Sequence, residues 1–148
     1  MLTLDWHLFG ANLAKIALSY LLALPTGWDR ERESHSAGVR TFPIVAMASC
    51  GYLLLTPGDI TAQSRVLQGL ITGIGFVGAG AIVKEGMNVR GTATAASIWS
   101  TAVIGASVAM DRFEIAIVLT LLNLFTLKAL MPLKKKLNGD EPESPLKP

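Results

Sequence analysis

The stretch from residue 66 to 84, VLQGLITGIGFVGAGAIVK, constrains this chain more than any other. It is apolar and long enough to cross a bilayer, yet it holds Gly69, Gly73, Gly75, Gly78 and Gly80. In water so glycine-rich a helix is poor, because glycine gives up the most backbone freedom on folding. In hydrocarbon the backbone has only its own hydrogen-bond partners, so the helix forms regardless. There the glycines acquire a use, since bare main chain lets a second helix come very close.

Composition points the same way. Of 148 residues, 51% are hydrophobic and 16% charged, against about 25% charged in ordinary soluble domains. Five segments read as spanning helices, near 8–28, 41–56, 66–84, 92–110 and 113–131. The expected fold is all-α: a polytopic membrane protein, a bundle of about five transmembrane helices. It occupies residues 1–132, and the polar, proline-rich tail at 133–148 reads as disordered and cytoplasmic. The second segment rises only about 24 Å, short for a hydrocarbon core of about 30 Å. No basic run precedes the first apolar segment, so a retained helix is expected there and not a cleaved signal peptide.

Lysine and arginine placement sets an orientation. The first loop carries Arg30, Arg32 and Arg40, the third link Lys84 and Arg90, and the tail Lys134, Lys135 and Lys136. The opposite face has Arg65 and Arg112. The N-terminus is therefore expected outside and the C-terminus in the cytoplasm. A net charge of +2 says little about partners, and nothing points to nucleic acid.

Gly69 and Gly73 lie one turn apart, and Gly75, Gly78 and Ala79 form a second small patch. The fourth segment answers with Ala93, Ala96, Ser97, Ser100 and Gly105. Helices three and four are therefore expected to pack closely, with Trp99 packed against the glycine-bearing neighbours. A glycine-lined face that flexes or borders a ligand path is the other reading. Gly73-Ile-Gly75-Phe-Val-Gly78 also fits G-x-G-x-x-G, but it lies within a spanning segment and has no acidic residue about twenty positions on. A nucleotide fingerprint is not expected there.

Polar residues with chemical potential gather at one membrane face. Asp29, Arg30, Glu31 and Arg40 come from the first loop, and Glu85, Asn88 and Arg90 from the third link. Arg40 and Arg90 each stand just before a threonine, Thr41 and Thr92, suited to cap a new helix. Two helix N-termini beside two arginines could hold a phosphate, a lipid headgroup or a carboxylate. Alternatively Arg40 and Arg90 pair with Asp29, Glu31 and Glu85 and latch the loops. Three nearby arginines oppose a divalent cation there. His7 and His35 fall on opposite faces, and Cys50, alone in an apolar run, reads as a small buried hydrophobe. No catalytic residue, metal ligand or cofactor is assigned, and an enzyme is not expected.

These residues resemble the bacterial MgtC/SapB membrane proteins. Gly27-Trp28-Asp29-Arg30-Glu31 is similar to that family's G-L-E-R-E, and Ala37-Gly38-Val39-Arg40-Thr41 to its A-G-L-R-T. The run from Gly73 to Gly80 is similar to G-I-G-F-L-G-A-G. Asn88-Val89-Arg90-Gly91 and Thr94-Ala95-Ala96-Ser97-Ile98-Trp99 are similar to N-V-R-G and T-A-A-S-L-W. Trp28 and Asp29 depart from the usual Leu and Glu, and many family members add an ACT-like C-terminal domain that this chain is not expected to carry.

The resemblance implies an inner-membrane regulatory or interaction protein. It would be tied to magnesium limitation or stress and act on other membrane complexes. The expected partners are membrane lipid, another membrane protein and a second copy of the chain. The alternative is a small oligomeric ion or solute transporter or channel.

Overall fold

Asp5 starts the first helix by accepting hydrogen bonds from the His7 and Leu8 amides at 3.0 and 3.2 Å, a standard N-terminal cap. The structure, a computed structural model, describes residues 5–33, 37–86 and 88–131. Helix α1 runs Trp6–Glu33, passing through Pro25 and the charged segment beyond Gly27. It therefore exceeds its expected range at the C-terminal end, where Arg30 and Arg32 lie in the last turn and oppose the negative end of the helix dipole.

Helix α2 spans Thr41–Leu54 and α3 spans Ile60–Ala79. The third helix thus begins six residues before its expected start of 66 and stops five before its expected end of 84. Asp59 fixes the beginning, its side chain accepting from the Ala62 amide at 2.9 Å. After Gly80 the chain forms a hairpin that the apolar pattern did not reveal. Strands β1 (Val83–Glu85) and β2 (Asn88–Arg90) pair antiparallel, with Val83 opposite Arg90 and Glu85 opposite Asn88. Helices α4 (Thr92–Ala109) and α5 (Phe113–Ala129) follow. All five expected helices are present, joined by one small two-stranded sheet. The tail at 133–148 lies outside the described residues.

Helix α4 is the axis of the bundle, packing against each of the other helices. One cluster at its N-terminal half joins Ala23, Phe42, Ala46, Ile74, Ile98 and Ala102. A second, toward its C-terminal end, joins Cys50, Ile104, Val108 and Ala116, with Ile16, Leu22 and Leu54 against it. Cys50 is buried and free, as its apolar setting suggested.

Helices α2 and α4 approach closely. A β-carbon at Gly105 would run into the Ala46 carbonyl, so only glycine lets these two backbones meet. Buried hydroxyls around this contact turn back onto their own helices. Ser49 donates to Val45 O, Ser97 to Ala93 O and Thr101 to Ser97 O, each at 2.8 Å. Each thereby loses its polar demand at a cost of little volume.

Two helices, Trp6–Glu33 and Thr92–Ala109, are both long and apolar enough to cross a bilayer. Helix α2 is apolar but shorter.

Candidate functional site

Contacts along the bundle put four helix ends and the hairpin at one end. Gly27 of α1 sits against Gly38 and Phe42, so the end of α1 adjoins the start of α2. Gly78 of α3 meets Ala95 of α4, and Gly91 meets Ala81. At the other end Lys15 reaches Ala109 and Asp111. The C-terminal ends of α1 and α3, the hairpin, and the N-terminal ends of α2 and α4 therefore share a rim.

Asp29 and Arg30 pair with each other. The Arg30 Nη2 and Nε donate to Asp29 Oδ2 at 2.6 and 3.3 Å, and both side chains are nearly buried. Glu31 acts on the backbone instead, where its Oε2 accepts from the Val39 amide at 3.1 Å. A β-carbon at Gly38 would collide with that carboxylate. Glu31 thus braces the turn leading into α2, and Gly38 is the space it occupies. The relation links the segment Gly27–Glu31 to the segment Ala37–Thr41 and was not apparent from the sequence, which separates Glu31 and Gly38 by seven positions.

Arg40 and Arg90 do not latch onto Asp29 or Glu31 as expected. Both are exposed, and among the described residues neither pairs with Asp29 or Glu31. The reason is local: Asp29 is neutralised by its neighbour Arg30, and Glu31 is occupied by the Val39 amide. Glu85 lies in β1 opposite Asn88, and its side chain is outside the described residues. Asn88 is exposed on β2.

Thr41 and Thr92 are the first residues of α2 and α4, not their caps. Arg40 and Gly91 hold the cap positions, and neither makes a side-chain cap bond. Gly91 has φ +85° and no room for a β-carbon against the Ala81 carbonyl. A left-handed turn there closes the hairpin and aims the chain into α4. Trp28 is exposed at the rim, with the Arg32 guanidinium 5.4 Å above its ring.

The glycines of α3 require the largest correction. Nothing lies within 4 Å of a β-carbon placed at Gly69, Gly73 or Gly75. Gly78 alone among the five adjoins α4, where a β-carbon would stand 3.2 Å from the Ala95 carbonyl oxygen, while Gly80 follows the end of α3. Trp99 is 49% exposed and is not packed among them. Helix α3 is held to α4 through its C-terminal turns, where Ile74 and Gly78 are its buried residues, so its earlier glycines face away. Gly69 and Gly73 instead line a cleft of about 720 Å³ between α2 and α3, with Arg40, Ile44, Tyr52 and Val77 also on its walls.

Among the described residues no group of three or more His, Cys, Asp or Glu side chains is arranged to hold a metal ion. The chemistry on offer is recognition: a braced turn, two arginines unpaired among the described residues and a lateral apolar cleft.

The MgtC family model matches residues 16–136. The chain belongs to the MgtC family. Among its relatives, Protein SrpB of Synechococcus elongatus is 33% identical over 137 residues, covering 82% of this chain and 75% of that one. Protein MgtC of Brucella abortus is 38% identical over 103 residues, covering 68% of this chain and 43% of that protein. Protein MgtC of Salmonella typhimurium is 35% identical over 117 residues, with 74% and 48% covered. The chain therefore spans just under half the length of these MgtC proteins. No solved structure matches. Membership and the two bilayer-length helices agree with a membrane protein.

Proposed function

We propose that this MgtC-family chain is a polytopic inner-membrane protein that works by contact with other membrane components in cells adapting to scarce magnesium. In this reading all five helices lie in the bilayer, the N-terminus is outside, and the rim faces the cytoplasm.

The observation that carries the reading is where the free space lies. The α2–α4 contact at Gly105 and Ala46 leaves no clearance, and the hydroxyls beside it are bound to their own backbones. The 720 Å³ cleft opens instead on the flank, between α2 and α3. A closed α2–α4 seam and an open flank suit a protein that is recognised or recognises sideways, more than one that conducts between these two helices.

Two further features support the membrane placement. Helix α5 exposes Ile117, Val118, Leu121, Leu122 and Phe125, a continuous apolar face of a kind that water disfavours and lipid accepts. Arg30, Arg32, Arg40, Lys84 and Arg90 belong to the rim end, whereas Lys15, Arg65 and Arg112 belong to the other, the bias expected of a cytoplasmic rim. The link to magnesium rests on the family alone.

The test is site-directed photocrosslinking in native membranes during magnesium starvation, with the crosslinker at Asn88 and at Ile44. A reproducible adduct with a different membrane protein supports the proposal. Adducts only with itself count against it. Passage of Mg²⁺, H⁺ or phosphate by the pure protein in sealed liposomes would replace it with an oligomeric transporter.

A further inference from the structure

The flank cleft has a shape, a polarity and one charge that together specify an occupant. Its walls are apolar side chains of α2 and α3, among them Ile44, Leu70 and Val77. Its floor is deepened by Gly69 and Gly73, one helical turn apart, where nothing else comes within 4 Å. These glycines do not serve a contact with α4, so the groove itself is what their missing side chains create.

Its length is also informative. From Thr41 to Tyr52 the lining residues of α2 span eleven helical steps, about 17 Å at 1.5 Å each. One leaflet of a hydrocarbon core of about 30 Å is close to that depth. The cleft volume of about 720 Å³ falls in the range of about 300–1,000 Å³ usual for small-molecule sites.

Arg40 stands at the rim end of this groove. It is exposed and has no hydrogen-bond or ion-pair partner among the described residues. An apolar slot one leaflet deep, with an unpaired guanidinium at its headgroup end, complements an anionic amphiphile. We infer that the α2–α3 cleft seats one acyl chain of an anionic phospholipid, with its phosphate held by Arg40. Guanidinium suits phosphate through paired charge-assisted hydrogen bonds. The inference rests on the membrane-spanning reading above, and a lipid seated there would place the rim arginines at the surface of one leaflet.

The experiment uses the full chain purified in detergent and presented with phosphatidylglycerol or phosphatidylcholine of identical chains, with bound lipid counted by native mass spectrometry. Wild type should retain phosphatidylglycerol about tenfold more tightly, the scale of one charge-assisted hydrogen bond. Arg40→Gln should abolish that preference while keeping weak binding of both lipids. Gly73→Leu, which fills the groove from a position facing open space, should remove binding of both. Inorganic phosphate at millimolar concentration should not displace the lipid.

Equal retention of the two lipids by wild type would overturn the inference, as would unchanged binding by Gly73→Leu. A change from dimer to monomer in Gly73→Leu, with lipid binding unaltered, would assign the cleft to a second copy instead. Alkaline carbonate extraction reports separately on the membrane reading: release of the protein defeats that reading first, whereas retention with no lipid preference defeats this inference alone.

Discussion

Gly105 of α4 faces the carbonyl of Ala46 in α2 with no space for a β-carbon. Here, and not at Gly69, Gly73 or Gly75 of α3, the bundle depends on bare main chain. The two kinds of glycine should therefore respond to substitution with opposite sign. Gly105→Val forces two backbones apart and should cost about 3 kcal/mol, the upper range for overpacking, with loss of folded protein at moderate expression. Gly73→Ala adds a methyl group in open space and should gain up to about 1 kcal/mol from helix propensity. Unfolding in mixed detergent measures both. A destabilised Gly73→Ala would mean that α3 has a close neighbour the cleft does not allow.

The brace at the start of α2 predicts a coupled pair. Gly38→Ala collides with the Glu31 carboxylate, and should lower stability by about 1–3 kcal/mol. Removing the carboxylate in Glu31→Ala loses the Val39 hydrogen bond and relieves the worst of the collision, leaving the residue 31 β-carbon 2.8 Å from the new methyl group. The double variant should be less destabilised than the sum of the two single ones. Strict additivity in the cycle would show that the two side chains do not meet.

Rim arginines should divide into structural and functional sets. Arg30 is 8% exposed and depends on Asp29, so Asp29→Ala leaves a buried charge alone and should cost about 3 kcal/mol. Arg40→Ala and Arg90→Ala remove exposed groups and should leave the midpoint of unfolding within about 0.5 kcal/mol of wild type. They should still impair growth in low magnesium more than Arg32→Ala, whose partner is the exposed Trp28 ring. Equal growth of all three would withdraw the rim from function.

At the opposite end, Lys15 joins α1 to the α4–α5 turn. Its Nζ donates to Asp111 Oδ2 at 2.8 Å and to Ala109 O at 3.2 Å. Ala109 ends α4, so the ammonium also meets the negative pole of that helix. Asp111 is itself held at φ 58°, a conformation that favours glycine. Lys15→Met should therefore destabilise by about 1 kcal/mol, and Asp111→Gly should be close to neutral, since relief of backbone strain offsets a half-exposed ion pair. Thermal unfolding that ranks them the other way would assign the stabilisation to the ion pair alone.

The sequence made some of this legible. Helices α2, α4 and α5 begin at 41, 92 and 113 as expected, because hydropathy rises sharply at each. Asp59 carried a cap signal for α3, but the polar residues after Ile60 masked it in a hydropathy reading. The VKEGMNVR hairpin was hidden because Ile82 and Val83 extended the apolar run. The glycine roles were unreadable for a deeper reason. Small residues on a helix permit close approach, but only the tertiary arrangement says whether a neighbour takes it up. At Gly105 one does; at Gly69 and Gly73 none does. Charge pairing in the first loop was unreadable likewise: Asp29 and Glu31 stood near Arg40 in sequence, but Arg30 and the Val39 amide had already claimed them.

The measurement that bears most directly on the account is side-specific thiol labelling in a Cys50→Ala background, with single cysteines at Asn88 on the hairpin and at Thr61 in the first turn of α3. In spheroplasts, a membrane-impermeant maleimide should label Thr61→Cys at once and Asn88→Cys only after permeabilisation. Labelling of both positions from the same side would contradict a bundle that spans the bilayer with its rim facing the cytoplasm.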